Sequence, residues 1–339
     1  MSDENIAPIL KKKDFVSGQD VKWCPGCGDY AILAQVQKVF PSLGIKKEDF
    51  LVVSGIGCSS RFPYYMNTFG FHTIHGRAPA VASGAKLANP SLSVWMVTGD
   101  GDAMSIGGNH FIHILRRNLN IKILMFNNKI YGLTKGQYSP TSELGKVTKS
   151  TPMGSLDYPF NPSSLALGAG ATFVGRSLDR ETKHLAEMVG LANSHEGASF
   201  VDIYQNCNIF NDGAHSAYTD RETKHDTLIK LANGEPMIFG DGGSKILKLE
   251  GSKFKVLKLE DGFSTDDATI HDYNDKNLAF LLSEMTVNEE LPTPIGILYK
   301  EEKPTYENMM MDQLDNALKK QGKVDIQSII SGTNTWEVS

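Results

Sequence analysis

Two periodicities take turns along the first two hundred residues. GDYAILAQVQKVF, from Gly28, sets Ile32, Val36, Val39 and Phe40 on one stripe and predicts a helix. DFLVVSGIG (49–57) is a short apolar run ending in glycines, the pattern of a buried strand. RAPAVASGAKLANP suits a helix of small residues that packs closely on a sheet and stops before Pro90. VWMV (94–97) and IKILMF (121–126) are two more buried strands. Between them GGNHFIHILRRN carries Phe111, Ile114 and Leu115 on a helical stripe, with Arg116 and Arg117 in the last turn, where cations suit the helix dipole. NPSSLALGAGA, TFVG, DRETKHLAEMVGLANSH and SFVDIY (199–204) continue the alternation. Strand and helix in turn predict an α/β fold, a mostly parallel sheet with helices on both faces.

Three stretches break the pattern. Residues 1–22 read as a loosely structured arm, with Lys11, Lys12 and Lys13 a solvated charge run. The region 128–160 is rich in Gly, Pro, Ser and Thr, and a loop of that length inside a domain is usually functional or disordered. Past residue 210 the chain becomes irregular: KILKLEGSKFKVLKLEDG (245–262) resembles a hairpin around a Gly-Ser turn, and DQLDNALKK a surface helix. The expected organisation is an arm (1–22), a main domain (23–210) and a C-terminal extension (211–339).

Composition narrows the function. The 339 residues are 40% hydrophobic and 22% charged, with a net charge of −5. That suffices for a large core and argues against a nucleic-acid binder. No apolar run reaches the ~18 residues needed to span a bilayer. The opening MSDENIAPILKKKD lacks the basic-then-apolar order of a signal peptide. The expectation is a cytoplasmic protein with no membrane association.

The most informative segment runs from Gly99 to Gly132. Asp100 lies just past one strand, Asn127 and Asn128 just past the next, and one helix connects them. In neighbouring parallel strands those ends are about 5 Å apart. Asp100 and Asn128 then converge in the crevice at the carboxyl edge of the sheet. One carboxylate and one amide form a lean set of hard oxygens, which suits Mg²⁺ shared with phosphate and water. Gly99, Gly101, Gly107 and Gly108 let backbone approach a diphosphate near a helix N-terminus. A second GDG, Gly240-Asp241-Gly242, has Thr269 at the corresponding spacing and leads into the hairpin, so it reads as a turn.

The chain has four cysteines, Cys24, Cys27, Cys58 and Cys207. The CPGC spacing serves zinc, a redox disulfide or an iron–sulfur cluster. Cys58 and Cys207 each follow a strand, and Cys24 and Cys27 precede the first helix, so all four can meet at the carboxyl edge beside Asp100 and Asn128. A catalytic dithiol leaves Cys58 and Cys207 unexplained; zinc and a cluster both use all four.

GDG followed one βαβ unit later by an Asn pair resembles the thiamine diphosphate signature. CPGCG, GIGCSSR (55–61), IHGRAPAVASGAK (74–86), GDGD, NNKIYGLTKGQ and a late cysteine occur in the order found in the β subunits of 2-oxoacid:ferredoxin oxidoreductases. The likeness is strong over about residues 15–210, PTPIGILYKEE (292–302) is similar to the family's tail, and GLTKGQYSPTS looks most like the 2-oxoglutarate branch. The resemblance implies Mg²⁺ on Asp100, Asn128 and the carbonyl of Ile130. It implies thiamine diphosphate contacts from Ile56, Gly57, Cys58, Ser59, His75, Gly101, Asp102, Gly132 and Leu133, and a 4Fe–4S cluster on Cys24, Cys27, Cys58 and Cys207. Arg61 resembles a basic residue near the substrate or coenzyme A, and with His75 is the catalytic candidate.

The implied activity is that of a 2-oxoglutarate synthase. A 2-oxoacid, with 2-oxoglutarate expected and pyruvate or a branched 2-oxoacid the alternatives, is oxidatively decarboxylated. Coenzyme A takes the acyl group and ferredoxin the electrons; in reverse the reaction fixes carbon dioxide. A larger α subunit would supply the catalytic glutamate in an (αβ)2 assembly. The competing readings are a non-oxidative thiamine decarboxylase half, which needs no iron, and a zinc-stapled interaction module.

The two GDG copies give a direct comparison. Asp100→Asn is expected to abolish Mg²⁺-dependent binding of thiamine diphosphate, measured by calorimetry, because a charged ligand becomes a neutral one of nearly equal size. Asp241→Asn is expected to leave binding unchanged; the reverse result means that the wrong copy was chosen.

Overall fold

Eight strands form one sheet, and its centre is the part that the apolar runs specify. In the structure, a computed structural model, the described residues are 10–339 apart from 289, 323, 324, 337 and 339. The strands are β1 (Phe50–Ser54), β2 (Phe69–His72), β3 (Ser93–Gly99), β4 (Ile121–Asn127), β5 (Phe173–Leu178), β6 (Ser199–Tyr204), β7 (Leu228–Lys230), β8 (Ile238–Phe239), β9 (Lys245–Glu250), β10 (Lys253–Lys258) and β11 (Thr293–Lys300). The large sheet runs β2-β1-β3-β4-β6-β5-β11-β7. Every neighbouring pair is parallel except β11 against β5. Strands β8, β9 and β10 make a separate antiparallel sheet.

The helices in chain order are α1 (Asp29–Val39), α2 (Phe62–Tyr65), α3 (Ala78–Ala88), α4 (Asp100–Met104), α5 (Gly108–Arg117), α6 (Pro162–Gly168), α7 (Thr182–Ser194), α8 (Ser216–Thr219), α9 (Lys224–Thr227), α10 (Lys276–Glu284), α11 (Tyr306–Gln321) and α12 (Ile326–Ser331). Period-two alternation in the strands serves both faces. Phe50, Val52, Trp95, Val97 and Leu124 pack with Ile32 and Val36 of α1 and Leu185 and Val189 of α7. Leu51, Val53, Val94, Met96 and Ile123 pack with Ala82 of α3, Phe111 and Leu115 of α5, and Leu282 of α10. Because both faces are covered, β1, β4, β5 and β6 are buried at every residue, which is why they read as continuous apolar runs.

Two expectations change. The arm is docked from Leu10 onward: Phe15 is fully buried, edge-on to Phe40 at 5.6 Å and Phe50 at 5.4 Å. One aromatic worth about 0.5–1.5 kcal/mol per such contact beyond its burial holds a segment with no periodicity. Residues 1–9, the rest of that arm, lie outside the described residues. The chain past 210 is also no separate body. β7 and β11 enter the main sheet, and the β11 residues TPIGILYK are almost all buried against β5. The anticipated hairpin is β9–β10, with Gly251 in the left-handed region at its turn. Strand β2, FGFH, had no apolar run to announce it; it is an edge strand exposed at all four residues.

A buried ion pair clamps the late strand in place. Arg176 of β5 lies 3.6 Å from Asp202 of β6, and both are buried. Its guanidinium also donates to the carbonyl of Pro294 in β11 and to Ser163 Oγ of α6. Arg176→Met strands the Asp202 carboxylate, and is expected to cost about 3–5 kcal/mol, read as a lower denaturation midpoint by circular dichroism. Arg176→Met/Asp202→Leu should recover most of the loss. A single variant as stable as the parent contradicts the clamp.

Candidate functional site

The sheet reverses its winding between β1 and β3: from β1 the chain passes outward to β2, then returns to the far side of β1 as β3. Crevices at such switch points, outside the carboxyl ends of the strands, are where open α/β sheets hold ligands. A cavity of about 340 Å³ opens there. The segment after β1 contributes Ile56, Gly57, Cys58 and Ser59; the segment after β2 contributes His75; the segment after β3 contributes Asp100, Gly101 and Asp102; and the segment after β4 contributes Asn128, Ile130, Gly132 and Leu133. Every residue named from sequence as a thiamine or magnesium contact thus lines one cavity.

The register supplies the convergence. Gly99 of β3 pairs with Phe126 of β4, so Asp100 and Asn127 leave the sheet side by side. Asp100 is 1% exposed, and its Oδ2 accepts from Ser139 Oγ and Thr141 Oγ1, each at 2.6 Å. Burial pushes its carboxyl up, and the two hydroxyls pull it back. Asn128 Oδ1 accepts from Ile130 N–H at 3.2 Å, a local turn made with Lys129 in the left-handed region. Asp100, Asn128 and Ile130, which line one cavity, can together offer an all-oxygen set of the kind Mg²⁺ takes.

Asp102 lines the cavity and also ties two loops together. Its Oδ1 accepts from Gly76 N–H at 2.8 Å and its Oδ2 from Thr98 Oγ1 at 3.1 Å. It therefore ties the IHGR loop to the GDGD turn while lining the cavity. Gly76, at φ +66°, permits the close approach, since a Cβ there would lie 2.4 Å from Gly107 N. Tyr131 lies over Gly101, donating its hydroxyl to the Gly101 carbonyl at 2.9 Å.

The four cysteines are free thiols gathered at the same edge. A Cβ built on Gly132 would lie 3.5 Å from Cys207 Sγ and 3.7 Å from Cys58 Sγ, so these sulfurs flank one point beside the cavity. The CPGC loop is tied to both: Trp23 Nε1 donates to the Cys58 carbonyl at 2.6 Å, Gly28 N to the Asn206 carbonyl at 3.2 Å, and Asn208 Nδ2 to the Pro25 carbonyl at 2.7 Å. Burial, then Asp29, pushes the Cys58 thiol up to about 12, with smaller effects from Cys207 and Cys24; burial and Asp29 push Cys27 higher still. Asp29 lies buried beneath them. Its carboxyl is pushed up to about 7 by burial and by Asp179, while the Cys27 thiol pulls the other way. Among the described residues no three His, Cys, Asp or Glu side chains converge on a single-ion position.

Arg61 does not line the cavity. It borders a second one of about 410 Å³, with Lys22, Tyr64, Tyr65 and His72, which shares Ile56, Gly57 and Leu133 as a common wall. Its guanidinium donates to the Lys22 carbonyl at 3.3 Å. Sequence reasoning missed Ser139 and Thr141, which hold Asp100, and Tyr131, which covers Gly101. The hydroxyl-rich SPTS run inside a long loop was the available signal.

Known proteins resemble this chain over most of its length. The family described as thiamine pyrophosphate enzyme, C-terminal TPP binding domain, matches residues 55–203. That span holds the cavity but leaves out Cys24, Cys27 and Cys207. The chain is 52% identical over 332 residues to the 2-oxoglutarate oxidoreductase subunit KorB of Mycobacterium tuberculosis, covering 97% of this chain and 88% of the relative. It is 36% identical to the 2-oxoacid:ferredoxin oxidoreductase subunit beta of Saccharolobus solfataricus, covering 87% and 88%. The solved 2-oxoglutarate:ferredoxin oxidoreductase from Magnetococcus marinus, with 2-oxoglutarate, coenzyme A and succinyl-CoA bound, matches with a TM-score of 0.76 at 33% identity, over 96% of this chain and 97% of that one.

A Cβ on Gly101 would lie 2.2 Å from the Tyr131 ring. Gly101→Ala is therefore expected to displace Tyr131 and weaken thiamine diphosphate binding at least tenfold, with circular dichroism unchanged. Unaltered affinity in calorimetry contradicts the packing of Tyr131 at this wall.

Proposed function

Because the chain belongs to the family of 2-oxoacid:ferredoxin oxidoreductase β subunits, we propose that it is the thiamine diphosphate-holding subunit of a 2-oxoglutarate:ferredoxin oxidoreductase. The enzyme converts 2-oxoglutarate and coenzyme A to succinyl-CoA and carbon dioxide and passes two electrons to ferredoxin; in reverse it fixes carbon dioxide. The observation that carries this reading is the meeting of the GIGC, IHGR, GDGD and NNKIYGL segments around one cavity, with four thiols at its flank.

Asp100, Asn128 and the Ile130 carbonyl would hold Mg²⁺ against the diphosphate. Cys24, Cys27, Cys58 and Cys207 would hold a 4Fe–4S cluster; four thiols at one sheet edge match the four thiolate ligands that such a cluster takes. When bound, thiamine diphosphate supplies the electron sink for decarboxylation, and the cluster accepts electrons one at a time. The chain's own residues bind, orient and enclose. Ser139 and Thr141 hold the Asp100 carboxylate in place by hydrogen bonds to its Oδ2. Asp102 fixes the loop that carries His75, and His75 is exposed at the cavity wall. Arg61, with Lys22 beside it, offers fixed positive charge to a carboxylate or a phosphate of substrate or coenzyme A in the adjoining cavity.

The site is open toward a partner. Ile74, Ile106 and Leu133, at or beside the cavity, are each more than half exposed. A larger α subunit would cover them and contribute the catalytic glutamate in an (αβ)2 assembly, with ferredoxin docking near the cysteines. Among the described residues no helix is long and apolar enough to cross a membrane, and the enzyme would work in the cytoplasm.

The test is co-expression with the α subunit under anaerobic conditions. The complex is expected to reduce ferredoxin or a viologen only with both 2-oxoglutarate and coenzyme A, more efficiently than with pyruvate, and the isolated chain to be inactive. Cys58→Ser is expected to lose iron and dye reduction while still binding thiamine diphosphate. Turnover by the isolated chain, or full iron content in Cys58→Ser, contradicts the proposal.

A further inference from the structure

Gln205 is the first residue beyond β6 and is fully buried. Its backbone N–H donates to the Asn127 carbonyl at 3.0 Å, extending the β4–β6 ladder by one step. Its side chain joins two sites that no motif connects. Oε1 accepts from Asn128 Nδ2 at 2.9 Å, and Nε2 donates to Cys27 Sγ at 3.3 Å. The polarity of this chain is determined, not chosen. Ile130 N–H points at Asn128 Oδ1. Asn128 must then turn its NH2 toward Gln205, Gln205 must answer with oxygen, and its own NH2 is left for the sulfur and for the Asn206 carbonyl.

The surroundings are cut to fit this side chain. A Cβ on Gly28 would lie 2.9 Å from Gln205 Cγ and 1.9 Å from Asp179 Oδ2, so the residue after Cys27 can only be glycine without moving one of them. Asp179 accepts in turn from Asn206 N–H at 2.8 Å, holding the segment that carries Gln205.

We infer that Gln205 is a positioning residue for both sites at once: it orients the Asn128 carboxamide toward the metal–diphosphate position and donates a hydrogen bond to the Cys27 sulfur that raises the reduction potential of the cluster. The inference rests on the reading of Cys27 as a cluster ligand. A donor to a ligating sulfur draws off negative charge and favours the reduced, more negative state. An acceptor for Asn128 Nδ2 keeps its oxygen turned to the Ile130 side of the carboxamide, so loss of the acceptor frees the amide of this cavity-lining residue to rotate.

The experiment uses the assembled, anaerobically purified enzyme carrying Gln205→Leu, with Gln205→Met as a second variant of similar bulk. Iron content, the cluster midpoint potential from a redox titration followed by electron paramagnetic resonance, and the affinity for thiamine diphosphate with Mg²⁺ are measured. Both variants are expected to keep their iron and to titrate at a more negative potential. The expected shift is on the order of tenfold in the reduction equilibrium, about 59 mV for one electron. In Gln205→Leu the affinity for thiamine diphosphate is expected to fall five- to tenfold. Variants with full iron and an unchanged potential overturn the sulfur contact, and unchanged affinity overturns the orienting role. Loss of iron from both variants also overturns the inference, because one hydrogen bond to one thiolate is not what retains a four-thiolate cluster. A parent enzyme without iron overturns the reading of the cysteines as well, which separates the two failures.

Discussion

Everything at the site hangs on the parallel pairing of β3 with β4. With Gly99 opposite Phe126, Asp100 and Asn127 leave the sheet at the same level. β6 pairs on the other side of β4 with Asn127 opposite Tyr204, so Gln205 and then Cys207 emerge at that level too. β1 pairs with β3, which brings in the GIGC turn and Cys58. A slip of one residue in any of these ladders would turn every side chain to the opposite face. The two hydrophobic layers, Trp95 and Val97 on one face and Val94 and Met96 on the other, forbid that slip. Core packing thus sets the geometry of the polar edge, and Cys27 and Cys58 pack directly against it.

That edge collects acidic groups at a cost. Asp29, Asp100, Asp102 and Asp179 are all buried, and burial raises the carboxyl of each. Hydrogen bonds offset part of the penalty: Gly76 N–H and Thr98 at Asp102, Ser139 and Thr141 at Asp100, Asn206 N–H at Asp179. Buried carboxylates with raised protonation cluster at functional sites. The same hydrogen bonds tie the loops to one another, so the cavity walls are set by the protein's own polar contacts.

Much of this was legible in the sequence, and what was missed has physical reasons. β3, α5 and β4 announced themselves because a doubly covered sheet requires continuous apolar runs and its helices an apolar stripe. The spacing from Asp100 to Asn128 then located the crevice, and the second GDG proved to be a turn leading to β9. The joining of β11 to β5 from more than a hundred residues away was not legible, because nothing local in a strand names its partner. β2 was hidden because an edge strand whose four residues are exposed needs no apolar pattern. Ser139, Thr141 and Gln205 are common polar residues without periodicity; only the fold shows that the first two meet Asp100 and the third meets both Asn128 and Cys27. Arg61 borders the adjoining cavity, across a wall it shares with the main one.

The central claim is that one sheet edge carries both a diphosphate site and a four-cysteine iron site. The most direct measurement is anomalous diffraction at the iron and zinc absorption edges from crystals of the assembled enzyme grown anaerobically with thiamine diphosphate. The account predicts an iron peak enclosed by Cys24, Cys27, Cys58 and Cys207, with cofactor density in the cavity lined by Asp100 and Asn128. A zinc peak among the cysteines, or iron bound elsewhere in the chain, would contradict it.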